Sequence, residues 1–286
     1  YNNRVSLAKS LAVTTAMETG EQLDRADLTA KSPAKGISPQ YLYDVVGEEV
    51  TRDISADSLL TWEDVSESVG EEYDTDIRNW GVVVRYSDVL DHDWGEPDVF
   101  EFRINGADID ADIDGTLSGT SFEKELGVHA PEQKGHDLVD LSSLDETRRK
   151  EAVTIIQEVI DLTRDVLNPR LESDAAPKVV VHPGGITTDE MEPDKIPAMN
   201  EALKRSLNDI DDEGIDLLLE NMPPLPWIYG GQRYHNNFMD AEEIAAFCEE
   251  TGYSICYDTS HAKLWCNYDG ADLKTHAEML EPYTEY

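Results

Sequence analysis

The stretch Lys178-Val179-Val180-Val181-His182-Pro183-Gly184-Gly185 places an unbroken apolar run directly before a histidine and a glycine-rich turn. A short apolar run without polar alternation is typical of a strand that is buried on both faces. From Trp80 onward the chain repeats an apolar run, a loop and an amphipathic segment. This alternation predicts an α/β fold in which helices cover a parallel sheet.

Individual elements of this fold can be assigned from the same pattern. The predicted strands are Gly81–Arg85, Val99–Ile104, Leu126–His129, Lys178–His182, Ile215–Glu220 and Ser254–Asp258. The predicted helices are Leu144–Val166, Pro193–Leu207 and Asp240–Thr251. Ser143 and Glu146 have the spacing of a capping box, which predicts that a helix begins there. If the sheet closes into an eight-stranded barrel, two more strands are expected beyond Tyr286, in a longer protein.

The first 66 residues differ from the rest of the chain. Short strand-like runs alternate there with Gly, Pro and Asp turns, which predicts a compact, mostly-β module. An acidic stretch with few apolar residues follows and is interpreted as a linker. The predicted organisation is therefore a small domain at 1–66, a linker at 67–79 and a large α/β domain at 80–286.

The chain is strongly acidic, with 61 Asp and Glu against 23 Lys and Arg and a formal net charge of -38. The acidic residues are spread along the chain, which favours adaptation to a very salty cytoplasm over a localised site for basic partners. Such a charge also disfavours nucleic acid as a partner, because binding it requires basic surface. Three cysteines without metal-type spacing suggest a reducing interior, and no apolar run is long enough to span a membrane.

Four predicted strands end in residue types that are common in metal sites. These residues are His129, His182, Glu220 and the pair Asp258 and His261. The carboxyl ends of parallel strands open on one face, so these side chains are expected to converge. Each could instead be structural: a hydrogen-bonded histidine, a buried partner for an arginine, or a loop cap. Their joint occurrence favours a divalent metal, and Mn, Zn, Mg and Co all suit these ligands.

Over roughly residues 80–286 the sequence resembles the xylose-isomerase-like superfamily of sugar-phosphate isomerases, epimerases and endonuclease IV. The motifs that carry the resemblance are His129-Ala130-Pro131, His182-Pro183-Gly184, Glu220-Asn221 and Asp258-Thr259-Ser260-His261. The resemblance implies an incomplete (β/α)8 TIM barrel, since the ligands of the family's last two strands have no counterpart here. It also implies that Glu220 and Asp258 bind metal and that His261 binds substrate or a second metal.

Residues 1–66 resemble the antifreeze-like (SAF) domain of sialic-acid synthases. The motifs are Arg4-Val5-Ser6-Leu7, Glu18-Thr19-Gly20-Glu21 and Lys31-Ser32-Pro33-Ala34-Lys35-Gly36-Ile37. In that family the domain covers the active site of a dimer partner with an Arg from a Lys-Arg-Pro motif. Here Ser32 occupies that position, which leaves Lys31 or Lys35 to bind substrate. The resemblance implies a homodimeric fusion with an N-acetylneuraminate synthase.

The leading hypothesis is metal-dependent isomerisation or epimerisation of a small-molecule sugar or sugar phosphate. Glu220 would act as base and His261 would hydrogen-bond a substrate oxygen, with Glu220, Asp258, His261 and His182 as metal ligands. His129, His182, Asn221 and Trp227 would bind substrate. The alternatives are an endonuclease-IV-like phosphodiesterase and a non-catalytic sugar-binding or dimerisation appendage. His136, His235 and His276 are predicted to be surface or loop residues.

Overall fold

The computed structural model describes residues 8–65, 79–91, 94, 97–173, 175–228 and 231–286. The chain separates into two compact units, Tyr1–Ile77 and Arg78–Tyr286. The predicted acidic linker and the motif Arg4-Val5-Ser6-Leu7 lie outside the described residues, apart from Asn79 at the end of the linker.

The first unit is a small module held together by antiparallel pairing. Strand β1 (Ser10–Val13) pairs with β2 (Leu28–Lys31), and Ser10 lies opposite Lys31. Isolated antiparallel bridges join Ala12 to Leu59, Met17 to Ile54, Gln22 to Glu49 and Val50 to Val65. The helical segments are one turn each: α1 (Leu42–Val45) and the 3-10 turns Arg25–Asp27, Pro39–Tyr41 and Trp62–Asp64. A small apolar core is buried among them, as expected for a compact module.

The second unit is built on a six-stranded parallel sheet. Its strands are β3 (Gly81–Val84), β4 (Val99–Arg103), β5 (Glu125–His129), β6 (Lys178–Val181), β7 (Asp216–Glu220) and β8 (Ile255–Cys256). They lie side by side in chain order, and every neighbouring pair is parallel. A further parallel bridge joins Ile255 to Thr284 beyond β8. All six predicted strands are confirmed, in the arrangement of an incomplete (β/α)8 barrel.

Helices lie between strands of the sheet and also follow the last strand. They are α2 (Ile113–Thr116), α3 (Glu146–Leu162), α4 (Ile196–Asp209), α5 (Ala241–Thr251), α6 (Thr259–Asp269) and α7 (Leu273–Leu280). Helix α3 continues as a π-helical turn, Thr163–Leu167, and a 3-10 turn, Asn168–Arg170. Two more 3-10 turns, Pro193–Lys195 and Glu281–Tyr283, flank α4 and α7. Among the described residues, no helix is long and apolar enough to cross a membrane.

The predicted capping box at Ser143 and Glu146 is wrong. The N-cap of α3 is Asp145, whose Oδ1 accepts hydrogen bonds from the backbone N–H groups of Thr147 and Arg148. Ser143 instead accepts a hydrogen bond from the backbone of Asp145. The helix begins later because the side chain of Asp145 reaches two of the free N–H groups of the first turn.

Burial explains why the strands are apolar on both faces. Val179, Val180 and Val181 of β6 have no exposed surface, since helices cover one face of the sheet and the barrel interior the other. Helix α3 buries a stripe of Ile155, Ile156, Val159 and Ile160 against the sheet. Each such side chain contributes about 1.5–3 kcal/mol to stability. The carboxyl ends of the strands are thereby fixed along one edge.

Candidate metal centre

The centre of the candidate site is Glu220, the last residue of β7, which is only 4% exposed. Its Oε2 lies 2.8 Å from His182 Nε2 and 3.2 Å from His129 Nε2. Its Oε1 lies 3.3 Å from His261 Nδ1. One buried carboxylate therefore contacts three imidazoles that follow or end three other strands.

The electrostatics of the cluster follow from this packing. Burial alone would raise the pKa of Glu220, but hydrogen bonds from His129, His182 and His261 hold it well below its ordinary range. Burial likewise opposes protonation of His129 and His261, yet contact with Glu220 raises the pKa of both imidazoles. The carboxylate is therefore ionised and attracts positive charge.

Backbone carbonyls orient two of the three rings. His129 Nδ1 lies 2.9 Å from the oxygen of Ala130, so the Nδ1–H donates to that carbonyl and Nε2 faces Glu220. His261 Nδ1 lies 2.9 Å from the oxygen of Asn221 and donates to it in the same way. Carbonyl contacts of this kind are typical second-shell partners of metal-binding histidines.

The donor set fits a divalent cation. Two groups of three residues bring their ligand atoms within 4.8 Å of one another: His129, His182 and Glu220, and Glu220, Asp258 and His261. With its Nδ1–H directed at Ala130, a neutral His129 would aim the Nε2 lone pair at an ionised carboxylate. That arrangement is favourable only with a proton or a cation between the two groups. The structure thus brings the four predicted metal ligands together, with His129 beside them. These ligands are Glu220, Asp258, His261 and His182.

Asp258 has two roles at the end of β8. Its Oδ1 accepts a hydrogen bond from the backbone N–H of His261, at 2.7 Å, and caps helix α6. Its Oδ2 lies 4.0 Å from His261 Nδ1, on the side of the cluster. The helix cap and the ligand position are therefore compatible, because they use different oxygens.

Asn221, predicted to bind substrate, forms hydrogen bonds with the backbone of Asp258. The side chain is 1% exposed, and its Oδ1 accepts from the Asp258 backbone N–H while its Nδ2 donates to the Asp258 carbonyl. Both ends of the amide are used to join the end of β7 to the end of β8. Asn221 therefore positions Asp258.

The cluster opens into a cleft of about 440 Å³. Besides the cluster residues, the cleft is lined by Glu101, Arg103, Glu132, Cys256 and Tyr286 among others. Burial and the adjacent Glu101 carboxylate raise the pKa of the Tyr286 phenol. Sequence reasoning missed Glu101 and Arg103, although their alternation with Phe100 and Phe102 in β4 signals a polar inner face.

Two histidines predicted to be surface or loop residues are in fact buried. His235 is 2% exposed, its Nδ1–H donates to the Pro223 carbonyl at 2.7 Å, and burial lowers its pKa to about 4. His276 contacts the Tyr257 hydroxyl and the Met239 carbonyl, each at 3.0 Å. Both are structural, and only His136 is exposed as predicted.

The remaining predicted substrate-binding residues lie outside the cluster. Trp227 is 69% exposed and lines a second cleft beside the first. Lys31 forms an ion pair with Asp57 within the first unit. The described structure leaves Cys248, Cys256 and Cys266 as free thiols.

Comparison with known proteins identifies the class of this barrel. Residues 92–283 match the family described as "Xylose isomerase-like TIM barrel", and residues 8–66 match the SAF domain. Since the first match covers more than half of the chain, the protein belongs to the xylose isomerase-like TIM barrel family. A search of curated proteins found no match.

Several solved structures are similar to parts of the chain. A D-tagatose 3-epimerase-like protein is 21% identical, with 72% of each chain covered and a TM-score of 0.48. D-allulose 3-epimerase from Methylomonas sp. is 13% identical, with 73% of this chain and 70% of that chain covered and a TM-score of 0.49. The antifreeze protein-like domain of human N-acetylneuraminic acid phosphate synthase is 22% identical, with coverages of 24% and 89% and a TM-score of 0.22.

Proposed function

We propose that the barrel is a metal-dependent isomerase or epimerase that acts on a sugar or sugar phosphate. The observation that carries the proposal is the contact of Glu220 with three imidazoles at the carboxyl edge of the sheet. Glu220, Asp258, His261 and His182 would hold a divalent cation, with His129 beside them. When bound, the cation would polarise a substrate carbonyl and stabilise negative charge on neighbouring oxygens.

The chain's own residues would bind and move protons. Glu220 is ionised, as a proton acceptor must be, and would take the proton from the carbon next to the carbonyl to give an enediolate. The Nδ1–H of His261 is directed at Asn221 and Glu220, so Nε2 is the atom left, either to bind the cation or to hydrogen-bond a substrate oxygen.

Proton exchange with solvent tests this chemistry without knowledge of the product. The protein is incubated with Mn²⁺ or Co²⁺ in D2O with a panel of ketoses and ketose phosphates, and deuterium at the carbon beside the carbonyl is followed by NMR. We expect exchange in the wild type and in the surface control Glu213→Gln, and none in Glu220→Gln. Equal deuterium exchange in all three proteins, or no deuterium exchange with any sugar, would contradict the proposal.

One observation favours a second candidate, phosphodiester cleavage at a site with more than one cation. Glu220 belongs to both groups of potential ligands, and its two oxygens face different histidines. A shared carboxylate is suited to bridging two metals. The net charge of -38 opposes approach of nucleic acid. Cleavage of a duplex with an abasic site in high salt, dependent on both His129 and His261, would select this candidate.

We also propose that the first unit serves a cytoplasmic, homodimeric protein of nonulosonic (sialic-type) acid synthesis. The match of residues 8–66 to the SAF domain supports this role, with Lys31 as the substrate-binding residue. The test is condensation of phosphoenolpyruvate with an N-acetylhexosamine by the full-length protein. Lys31→Ala should lower this activity and the control Lys9→Ala should not; equal activities would refute the role of Lys31.

A further inference from the structure

A second cleft adjoins the one that contains the metal cluster. It has a volume of about 500 Å³, and Arg103 and Glu132 line both cavities. Its walls are the loops that follow β4 and β5, together with the exposed Trp227. A Cβ on Gly106 would lie 2.6 Å from Lys134 Cα, so the two loops pack directly against each other. Close packing of these two loop backbones therefore forms part of the wall of the second cleft.

Arg103 stands at the junction of the two clefts. It is the last residue of β4, and its Cα pairs with that of His129 in β5. The guanidinium is thus one strand away from an imidazole of the metal cluster. Among the described residues that line the two clefts, Arg103 is the single lysine or arginine.

The ion pair between Arg103 and Glu132 is partly exposed to solvent. Arg103 Nη2 donates to Glu132 Oε1 at 2.8 Å, and the two side chains are 41% and 37% exposed. Ion pairs with this exposure stabilise a protein little, because water and salt screen them. A guanidinium binds phosphate or carboxylate more strongly through two parallel hydrogen bonds. Glu132 therefore occupies a position that an anionic ligand could take.

The net charge of the protein bears on the role of the Arg103 guanidinium. At low ionic strength a protein with a net charge of -38 repels anions at long range. A negatively charged substrate therefore needs a local cation to be held at the cleft, whereas a neutral sugar does not. The single arginine lines the same cleft as the metal cluster and also lines the second cleft beside it.

We propose that Arg103 determines specificity by binding an anionic group, a phosphate monoester or a carboxylate, on the part of the sugar remote from the reacting carbon. Trp227 stacks against the sugar in the second cleft. The sugar part of this inference rests on the proposed function, whereas binding of the anion by Arg103 does not. Glu132 competes with the ligand for the guanidinium.

Binding of inorganic phosphate tests the anion site alone. Its dissociation constant is measured by calorimetry for the wild type, Arg103→Gln, Glu132→Gln and the control Arg205→Gln, whose arginine is also part-exposed and paired with a glutamate. We expect about tenfold weaker binding or more in Arg103→Gln and no change in Arg205→Gln. Glu132→Gln should bind phosphate more tightly. Unchanged binding in Arg103→Gln, or weaker binding in Glu132→Gln, would overturn the proposal.

A second measurement separates the two anion sources. Saturation-transfer NMR compares D-fructose 6-phosphate, D-glucuronate and D-fructose on the wild type and on Arg103→Gln. If Arg103→Gln selectively loses binding of D-fructose 6-phosphate, the anion bound by Arg103 is a phosphate. If it selectively loses binding of D-glucuronate, the anion is a carboxylate. Wild-type protein that binds neither charged sugar more tightly than D-fructose would refute the specificity role.

The two proposals fail in different ways. Phosphate binding that depends on Arg103, together with no deuterium exchange in any sugar, would leave the anion site standing and remove the isomerase function. Deuterium exchange that is equal in wild type and Arg103→Gln for every charged sugar would leave the isomerase function standing and remove the anion site.

Discussion

His182 Nε2 and Glu220 Oε2 lie 2.8 Å apart, although 38 positions separate the two residues in the chain. The contact forms because β6 and β7 are parallel neighbours, with Val181 paired with Leu219. His182 directly follows Val181, and Glu220 directly follows Leu219, so the two polar residues lie next to each other at the ends of the paired strands. The register of the sheet therefore fixes the geometry of the cluster.

Asn221 is expected to stabilise the barrel through Asp258. Replacement by leucine would leave the backbone N–H and carbonyl of Asp258 without their side-chain partners. We predict a loss of about 2–4 kcal/mol in the free energy of unfolding, because each buried unsatisfied group costs about 1–3 kcal/mol. Urea denaturation measures this loss, and Asn267→Leu on the exposed surface of α6 is the control. A fully stable Asn221→Leu protein would contradict the positioning role.

Gly184 allows the loop after His182 to pack on Asp140. It has φ +92, and a Cβ would overlap Asp140 Oδ1 and lie 2.8 Å from Asp140 Cα. Gly184→Ala should lower the free energy of unfolding by about 3 kcal/mol or more, since the strained backbone and the overlap add. Gly214→Ala is the control, because it has φ +78 with nothing within 4 Å. Its cost should be about 1–2 kcal/mol. Equal losses in thermal or urea unfolding would show that the packing on Asp140 is unimportant.

Glu243 is expected to make stability depend on pH. Burial raises its pKa from 4.5 to about 7 in the folded protein. The folded state therefore takes up a proton as the pH falls through 7, while the unfolded state does so only near 4.5. The raised pKa of Glu243 therefore contributes at most about 3 kcal/mol to the free energy of unfolding. This contribution is fully present below pH 4.5 and is lost as the pH rises through 7.

The comparison of variants isolates this effect. From pH 5 to pH 8, the wild type should lose stability relative to Glu243→Gln, as followed by urea unfolding at each pH. Glu242→Gln, a change at the exposed neighbouring position, should stay at a constant difference from the wild type. A difference between wild type and Glu243→Gln that is independent of pH would disprove the prediction.

The net charge of -38 predicts stabilisation by salt. The Debye length falls from about 10 Å at 0.1 M to about 3 Å at 1 M, which screens repulsion between carboxylates. We expect the melting temperature to rise by roughly 10 °C or more between 0.1 M and 2 M KCl. Sucrose is the control, because it stabilises proteins without screening charge. A melting temperature that is insensitive to KCl would contradict the proposed adaptation to a salty cytoplasm.

Much of the fold could be predicted because its signal is local. Runs such as Val179-Val180-Val181 are apolar at successive positions, which is typical of a strand covered on both sides, and all three valines are fully buried. The residue that follows such a run in a parallel sheet must lie at the common edge, so His182 and Glu220 could be placed without knowledge of the loops.

Other parts of the site depend on contacts between distant segments. The amide of Asn221 pairs with the backbone of Asp258, 37 residues away, and the residue type alone does not reveal this choice. His235 is buried where the two-residue strand Tyr234–His235 pairs antiparallel with Ile186–Thr187. Loop pairing of this kind leaves little periodicity in the sequence, and the surface prediction therefore failed.

The most direct test of the central claim is the cation content of the protein. Wild type, Glu220→Gln and the surface control Glu213→Gln are purified from the same medium, dialysed against metal-free buffer and measured by inductively coupled plasma mass spectrometry. We predict a stoichiometric amount of divalent cation in the wild type and in Glu213→Gln, and a loss of most of it in Glu220→Gln. Equal cation content in all three proteins, or none in the wild type after addition of Mn²⁺ or Zn²⁺, would contradict a metal centre at Glu220.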